Sequence, residues 1–150
     1  MIPASPARSA SQQVSESASQ RDVVAGTNSR VRTRHFRDLI AWQKSMVLVK
    51  NVYLLTDKFP STERFGLTSQ MRRSSVSVPS NIAEGHGRLT DKGLRVFLAQ
   101  ARGSLFELET QILLSTELGF AAKPDADRLV EDCNEVARIL NGLMRALEDE

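Results

Sequence analysis

Residues 70–88 read QMRRSSVSVPSNIAEGHGR. Leu67, Met71, Ser75, Val78 and Ile82 step four, four, three and four, which is one face of a helix. The helix starts between Thr62 and Thr68, where Gly66 blurs the boundary, and runs to Glu84. Pro79 lies well inside it. Proline removes one backbone donor and crowds the preceding turn, so a kink near Ser75 is expected. Gly85 and Gly87 supply the exit, because glycine accepts the left-handed conformation that closes many helices. The stretch announces a helical chain and names no reaction.

Working outward, Leu39, Trp42, Met46, Val49 and Tyr53 mark one face of a helix from about Asp38 to Lys58. A second stripe, Leu48, Val52, Leu55 and Phe59, lies beside it, so the apolar arc is wide enough for deep burial or for a partner subunit. Pro60 ends that helix. After the central stretch, Thr90 reads as an N-cap and Asp91 favours the positive helix end. Leu94, Leu98, Ala101, Leu105, Leu108 and Ile112 form the face of this third helix, widened by Phe97, Phe106 and Leu113. It stops at Gly119. Gly103 and Ser104 are small residues at mid-helix, and close approach of another helix would offset the roughly 1 kcal/mol an interior glycine costs. A fourth helix follows Pro124 with Asp125 as N-cap. Its Leu129, Cys133, Val136, Leu140, Leu143 and Leu147 form a heptad seam. Four helices with short connections and no alternating strand pattern predict an all-α, antiparallel up-down-up-down four-helix bundle over residues 35–150.

Residues 1–34 differ in composition. Ser, Ala, Gln and Arg dominate and aromatics are absent, so the segment reads as a disordered N-terminal arm. Its basic end, Arg30 to His35, could touch nucleic acid, or the arm could simply solubilise the chain.

Apolar residues make up 41 % of the 150-residue chain and charged residues 25 %, which suits one soluble domain. No apolar run approaches the roughly 18 residues of a membrane span. The single cysteine, Cys133, excludes an intramolecular disulfide, and a cytoplasmic setting is expected. The net charge of +2 conceals a gradient. Residues 37–102 carry eleven Lys/Arg against five acids, a balance of +6, whereas residues 103–150 carry four against eleven, a balance of −7. Such segregation fits a polyanion binder or charge-matched subunits.

Three blocks, FRDLIAWQKSMVL from Phe36, FPSTERFGLTSQMRRSSVSVPSNIAEGHGR from Phe59, and FLAQARGSLFELETQILLSTELGF from Phe97, together resemble the four-helix-bundle family of 23S rRNA intervening-sequence proteins. The likeness covers about Phe36 to Phe120 closely and the fourth helix only by pattern. It implies a homopentamer. Some members are encoded in insertions within large-subunit ribosomal RNA genes. One branch, an accessory factor of diversity-generating retroelements, binds nucleic acid and a reverse transcriptase; no retroelement-specific feature marks this sequence, so the branch stays open.

Catalytic, cofactor and metal sites are not expected. Ser74, Ser75, Ser77 and Ser80 lack a local histidine with an orienting acid, and helical serines more often pack or bond the backbone. Neither His35 nor His86 completes the Glu-x-x-His unit of a di-iron bundle, since Arg32 and Ala83 stand three residues before them. Cys133 reads as a small core filler. No Gly-rich loop precedes Lys-Ser/Thr. Gln70, Asn81 and Glu84 read as a buried, structural polar cluster, with Arg72, Arg73 or Arg88 to pair the carboxylate. Arg72, Arg73, Arg88, Lys92, Arg95 and Arg102 are the candidate RNA- or DNA-binding set. Arg88, Lys92 and Arg95 should share one end of the bundle, and contiguous cations can track a phosphate backbone. The same cations could instead face solvent or pair with the acidic fourth helix. Trp42 and Tyr53 belong to the apolar face, so binding by shape and charge is favoured over stacking.

Overall fold

Four helices follow one another: α1 (Ile40–Thr56), α2 (Leu67–His86), α3 (Asp91–Glu117) and α4 (Lys123–Glu148). Short 3-10 turns at Phe36–Asp38 and Ser61–Glu63 lead into α1 and α2. The structure is a computed structural model describing residues 33–148. The expected arm therefore lies, apart from Thr33 and Arg34, outside the described residues. No strand occurs among the described residues. Helix α1 packs on α2, α2 on α3, α3 on α4 and α4 back on α1, while the backbones of the diagonal pairs stay apart. Side-chain pairs fix the directions. Ser74 meets Gln111 and Ser77 meets Ser104, so α2 and α3 run antiparallel. Arg95 meets Glu148 and Arg102 meets Asn141, so α3 and α4 do too. The result is a closed four-helix bundle.

The expected α3 face is the centre of the core. Leu94, Leu98, Ala101, Leu105, Leu108 and Ile112 are all buried. Phe106 and Leu113 are half in solvent and do not widen it. Thr90 caps α3 by accepting from the Gly93 N–H at 3.0 Å. At the other end Gly119 takes φ +77°. The Phe120 N–H reaches the Ser115 carbonyl at 2.8 Å and the Gly119 N–H reaches that of Thr116 at 3.0 Å. This is the left-handed glycine stop expected there.

The second of the two stripes expected for α1, Leu48, Val52, Leu55 and Phe59, is buried, and part of the first turns towards solvent. Met46 and Tyr53 are 45 % and 40 % exposed, and Trp42 is half-buried beside Phe36. The core face is Ala41, Ser45, Leu48, Val52 and Leu55. Ala41 and Ser45 are small, so their side of the helix can approach its neighbours. The Ser45 hydroxyl is satisfied by the Trp42 carbonyl at 2.8 Å. A scan for bulky residues overlooks such positions.

Two glycine expectations change as well. Helix α2 stays helical on both sides of Pro79 and through Gly85 to His86. Gly87 caps it at φ −76°, not in the left-handed region. Gly85 is buried, and a Cβ there would lie 2.7 Å from the Phe97 Cβ. Close helix approach thus occurs at Gly85. Gly103, where it was expected, has nothing within 4 Å of an added Cβ.

Helix α4 begins earlier than Asp125. The Ala126 N–H bonds the Ala122 carbonyl at 3.1 Å, and Pro124 sits in the first turn, where its missing donor costs nothing. Leu129, Cys133, Val136 and Leu140 are buried as the seam predicts. Met144 replaces Leu143 and Leu147, which are half-buried, because a straight helix drifts against a seven-residue repeat.

Candidate nucleic-acid interface

The six expected cations do not form one patch. Arg72 and Arg73 lie near the start of α2, in a groove shared with α1. Arg95 and Arg102 lie in a groove between α3 and α4. In the ring of helices these grooves occupy opposite faces. Arg88 and Lys92 sit between them at the α2–α3 turn, so Arg88, Lys92 and Arg95 do share one end of the bundle.

The α1–α2 groove encloses about 620 Å³. Arg72 is built into its wall. One nitrogen donates to Thr56 Oγ1 at 3.0 Å and another to Asp57 Oδ1 at 2.8 Å, while the guanidinium lies 4.5 Å from the Tyr53 ring centroid. Its charge is thereby matched. Arg73 is exposed and makes no ion pair among the described residues. Arg64, which the sequence reading passed over, stands 5.5 Å from the centre of the Phe65 ring. Among the described residues that line this groove none is acidic.

At the α2–α3 turn, Arg88 pairs with Glu84 at 3.2 Å and lies 4.5 Å from the Phe97 ring centroid. Gly93 makes room for this, since a Cβ there would stand 3.1 Å from the Arg88 Cβ. Lys92 is exposed and makes no ion pair among the described residues.

The α3–α4 groove is smaller, about 430 Å³. Arg95 pairs with Glu148, and Arg102 donates to Asn141 Oδ1 at 2.9 Å. Arg145 also lines it and makes no ion pair among the described residues. Arg145 had no signal in the sequence, because it joins the arginines of α3 only through the antiparallel register.

Gln70, Asn81 and Glu84 are not a buried cluster. Gln70 and Glu84 are exposed and separated by most of α2, and Asn81 is half-buried. The Asn81 amide donates to the Ser77 carbonyl at 2.8 Å. The polar groups that are buried include Ser74, Ser75, Gln111 and Ser115. Ser74 Oγ and Gln111 Oε1 are 2.7 Å apart. Ser75 and Ser115 donate to carbonyls one turn back. Ser74 and Gln111 thus join α2 to α3, while Ser75 and Ser115 are satisfied within their own helices.

Helix α4 presents the acidic side. Lys44 of α1 and Glu135 lie 2.7 Å apart, and the hydrogen bond from Lys44 holds the Glu135 carboxyl below its usual range. Burial, followed by repulsion from Glu135, pushes Asp132 up. Burial also pushes the Cys133 thiol up to about 12, so it stays protonated. No group of three or more His, Cys, Asp or Glu able to hold a metal ion occurs among the described residues. No described helix is long and apolar enough to cross a membrane.

With this geometry in place, the comparison with known families is decisive. The model of the 23S rRNA-intervening sequence protein family matches residues 37–142. The chain belongs to this family. The matched segment takes in α1, α2, α3 and most of α4, and so contains both grooves apart from Met144, Arg145 and Glu148. Among solved structures, a protein of unknown function from the S23 ribosomal protein family of Bacteroides thetaiotaomicron is similar, with a TM-score of 0.66 and 18 % sequence identity. The likeness covers 71 % of this chain and 96 % of that one, and it speaks for the fold. No curated protein matches the chain.

Proposed function

We propose that this intervening-sequence family member is a non-catalytic, oligomeric bundle that binds RNA or DNA through its basic surface. The observation that carries the proposal is a set of exposed cations without ion-pair partners among the described residues: Arg64, Arg73, Lys92 and Arg145. Unmatched cations attract a phosphate backbone and release its counterions on binding. The family's link to ribosomal RNA points the same way. Assembly is supported by the outer face of α3. Val96, Phe106, Leu113 and Leu114 are about half exposed there, and Gly103 leaves open space between them. Unpartnered apolar residues on one face suit a subunit contact. The resemblance implies five copies, and a ring of five would multiply weak contacts through effective concentration.

A second reading has its own observation. Arg95 and Arg102 are engaged by α4, as in a protein-interaction scaffold whose cations hold helices together. Binding of RNA and DNA over a salt series separates the two. The nucleic-acid reading expects affinity to fall steeply with salt, and Arg73→Glu with Lys92→Glu to weaken it and flatten that dependence. Absence of binding to any nucleic acid at low salt sinks it. Light scattering should give a multiple of the chain mass, lost in Phe106→Glu. A one-chain mass for the unaltered protein removes the assembly claim.

A further inference from the structure

Resting on that nucleic-acid reading, we infer that the α1–α2 groove is a single-strand site, where Phe65 stacks on bases and Arg64 and Arg73 hold phosphates. Phe65 is 89 % exposed in the turn just before α2. A phenyl ring so exposed adds almost nothing to the core and is left open to solvent apart from the side that Arg64 approaches. The Arg64 guanidinium stands over it at 5.5 Å from the centroid, which puts a cation beside the place where a stacked base would carry its phosphate.

The rest of the groove is suited to the same ligand. On α2, Ser69, Arg73, Val76 and Ser80 recur at steps of four, three and four and line the groove together. Hydroxyls and an unpaired guanidinium are the groups that contact phosphate and sugar without reading sequence. The Tyr53 ring is held by Arg72, itself fixed by Thr56 and Asp57, so that side of the groove is preformed. Among the described residues the lining holds three arginines and no carboxylate.

An exposed ring selects among polyanions. A duplex buries its base faces in its own stack and offers Phe65 nothing to cover. An acidic peptide would use the arginines and leave the ring idle. Only a strand with free bases uses both halves of the site. The sequence does not single out Phe65, since a Phe between Arg64 and Gly66 carries no sign of whether it points in or out.

The test uses the whole chain and fluorescence anisotropy, with a labelled deoxythymidine oligonucleotide and a duplex of equal length. Phe65→Ala is expected to weaken single-strand binding about ten-fold, with duplex binding and salt dependence unchanged. Phe65→Leu, which keeps bulk and loses the π face, should behave like Phe65→Ala. Arg73→Ala should weaken both ligands and lower the salt slope by about one. The scattering mass should not move in any of these variants. Full binding by Phe65→Ala or Phe65→Leu overturns the inference and leaves the nucleic-acid reading standing. A fall in mass with Phe65→Ala overturns it in favour of a subunit contact. Displacement by polyglutamate as readily as by oligonucleotide overturns it in favour of an acidic-peptide site. No binding of either ligand by the unaltered chain removes the nucleic-acid reading itself.

Discussion

The α1–α2 and α3–α4 grooves each hold three arginines, and they use them differently. In the α3–α4 groove Arg95 and Arg102 reach across to Glu148 and Asn141, so charge serves to join two helices. In the α1–α2 groove Arg72 is tied to Thr56 and Asp57, while Arg64 and Arg73 lie beside an open aromatic ring. Among the described residues Arg145 of the other groove likewise makes no ion pair, but no aromatic ring lines that groove. Equal numbers of cations therefore do not make equal sites. What counts is the neutralisation of each charge and the apolar surface next to it.

The largest expected effect strikes the seam that holds the grooves apart. Gly85→Val drives a side chain into Phe97 and Leu94. It should cost about 2–3 kcal/mol, read as a lower urea midpoint. An unchanged midpoint would mean that the α2–α3 seam is not as tight as described. Next, Arg102→Ala loses a half-buried charged hydrogen bond to Asn141 and should cost about 1–2 kcal/mol. Arg73→Ala touches no partner and should stay within about 0.5 kcal/mol. Equal losses for the two variants would erase the distinction between a clamping and a free arginine.

The smallest effect concerns the acidic groove between α1 and α4. Folding raises the carboxyl of Asp132, so the folded state holds its proton more tightly than the unfolded chain does. Its contribution is therefore fully present below the ordinary carboxyl value of 3.8 and is lost as pH rises through the raised value. Asp132→Asn should raise the urea midpoint slightly at neutral pH, with the gain vanishing in acid. A gain that persists in acid would point to packing instead of charge.

Much of the bundle was legible in the sequence because large apolar residues at helical spacing have few other uses. The α3 face and its Thr90 and Gly119 ends follow directly. The stripe of Leu48, Val52, Leu55 and Phe59 is legible and buried, whereas on α1 Met46 and Tyr53 give way to the small Ala41 and Ser45. Gly85 and Gly103 look alike in a list of residues, yet one is pressed against Phe97 and the other has open space. Gln70, Asn81 and Glu84 suggested a cluster through residue type alone, and helix phase puts two of them in solvent. The basic set was legible as composition and illegible as a surface.

The sequence by itself determined four helices, their order and the family, since these depend on local spacing and on short connections. It also determined the charge gradient from residues 37–102 to residues 103–150. Only the tertiary structure decided which arginines are spent on helix contacts, that Arg145 joins Arg95 and Arg102, and that Phe65 stands open beside Arg64 and Arg73. The physical reason is that each of these depends on the phase and register of one helix against another. Helical spacing fixes which residues share a face, but not which neighbour, acid or solvent, that face will meet.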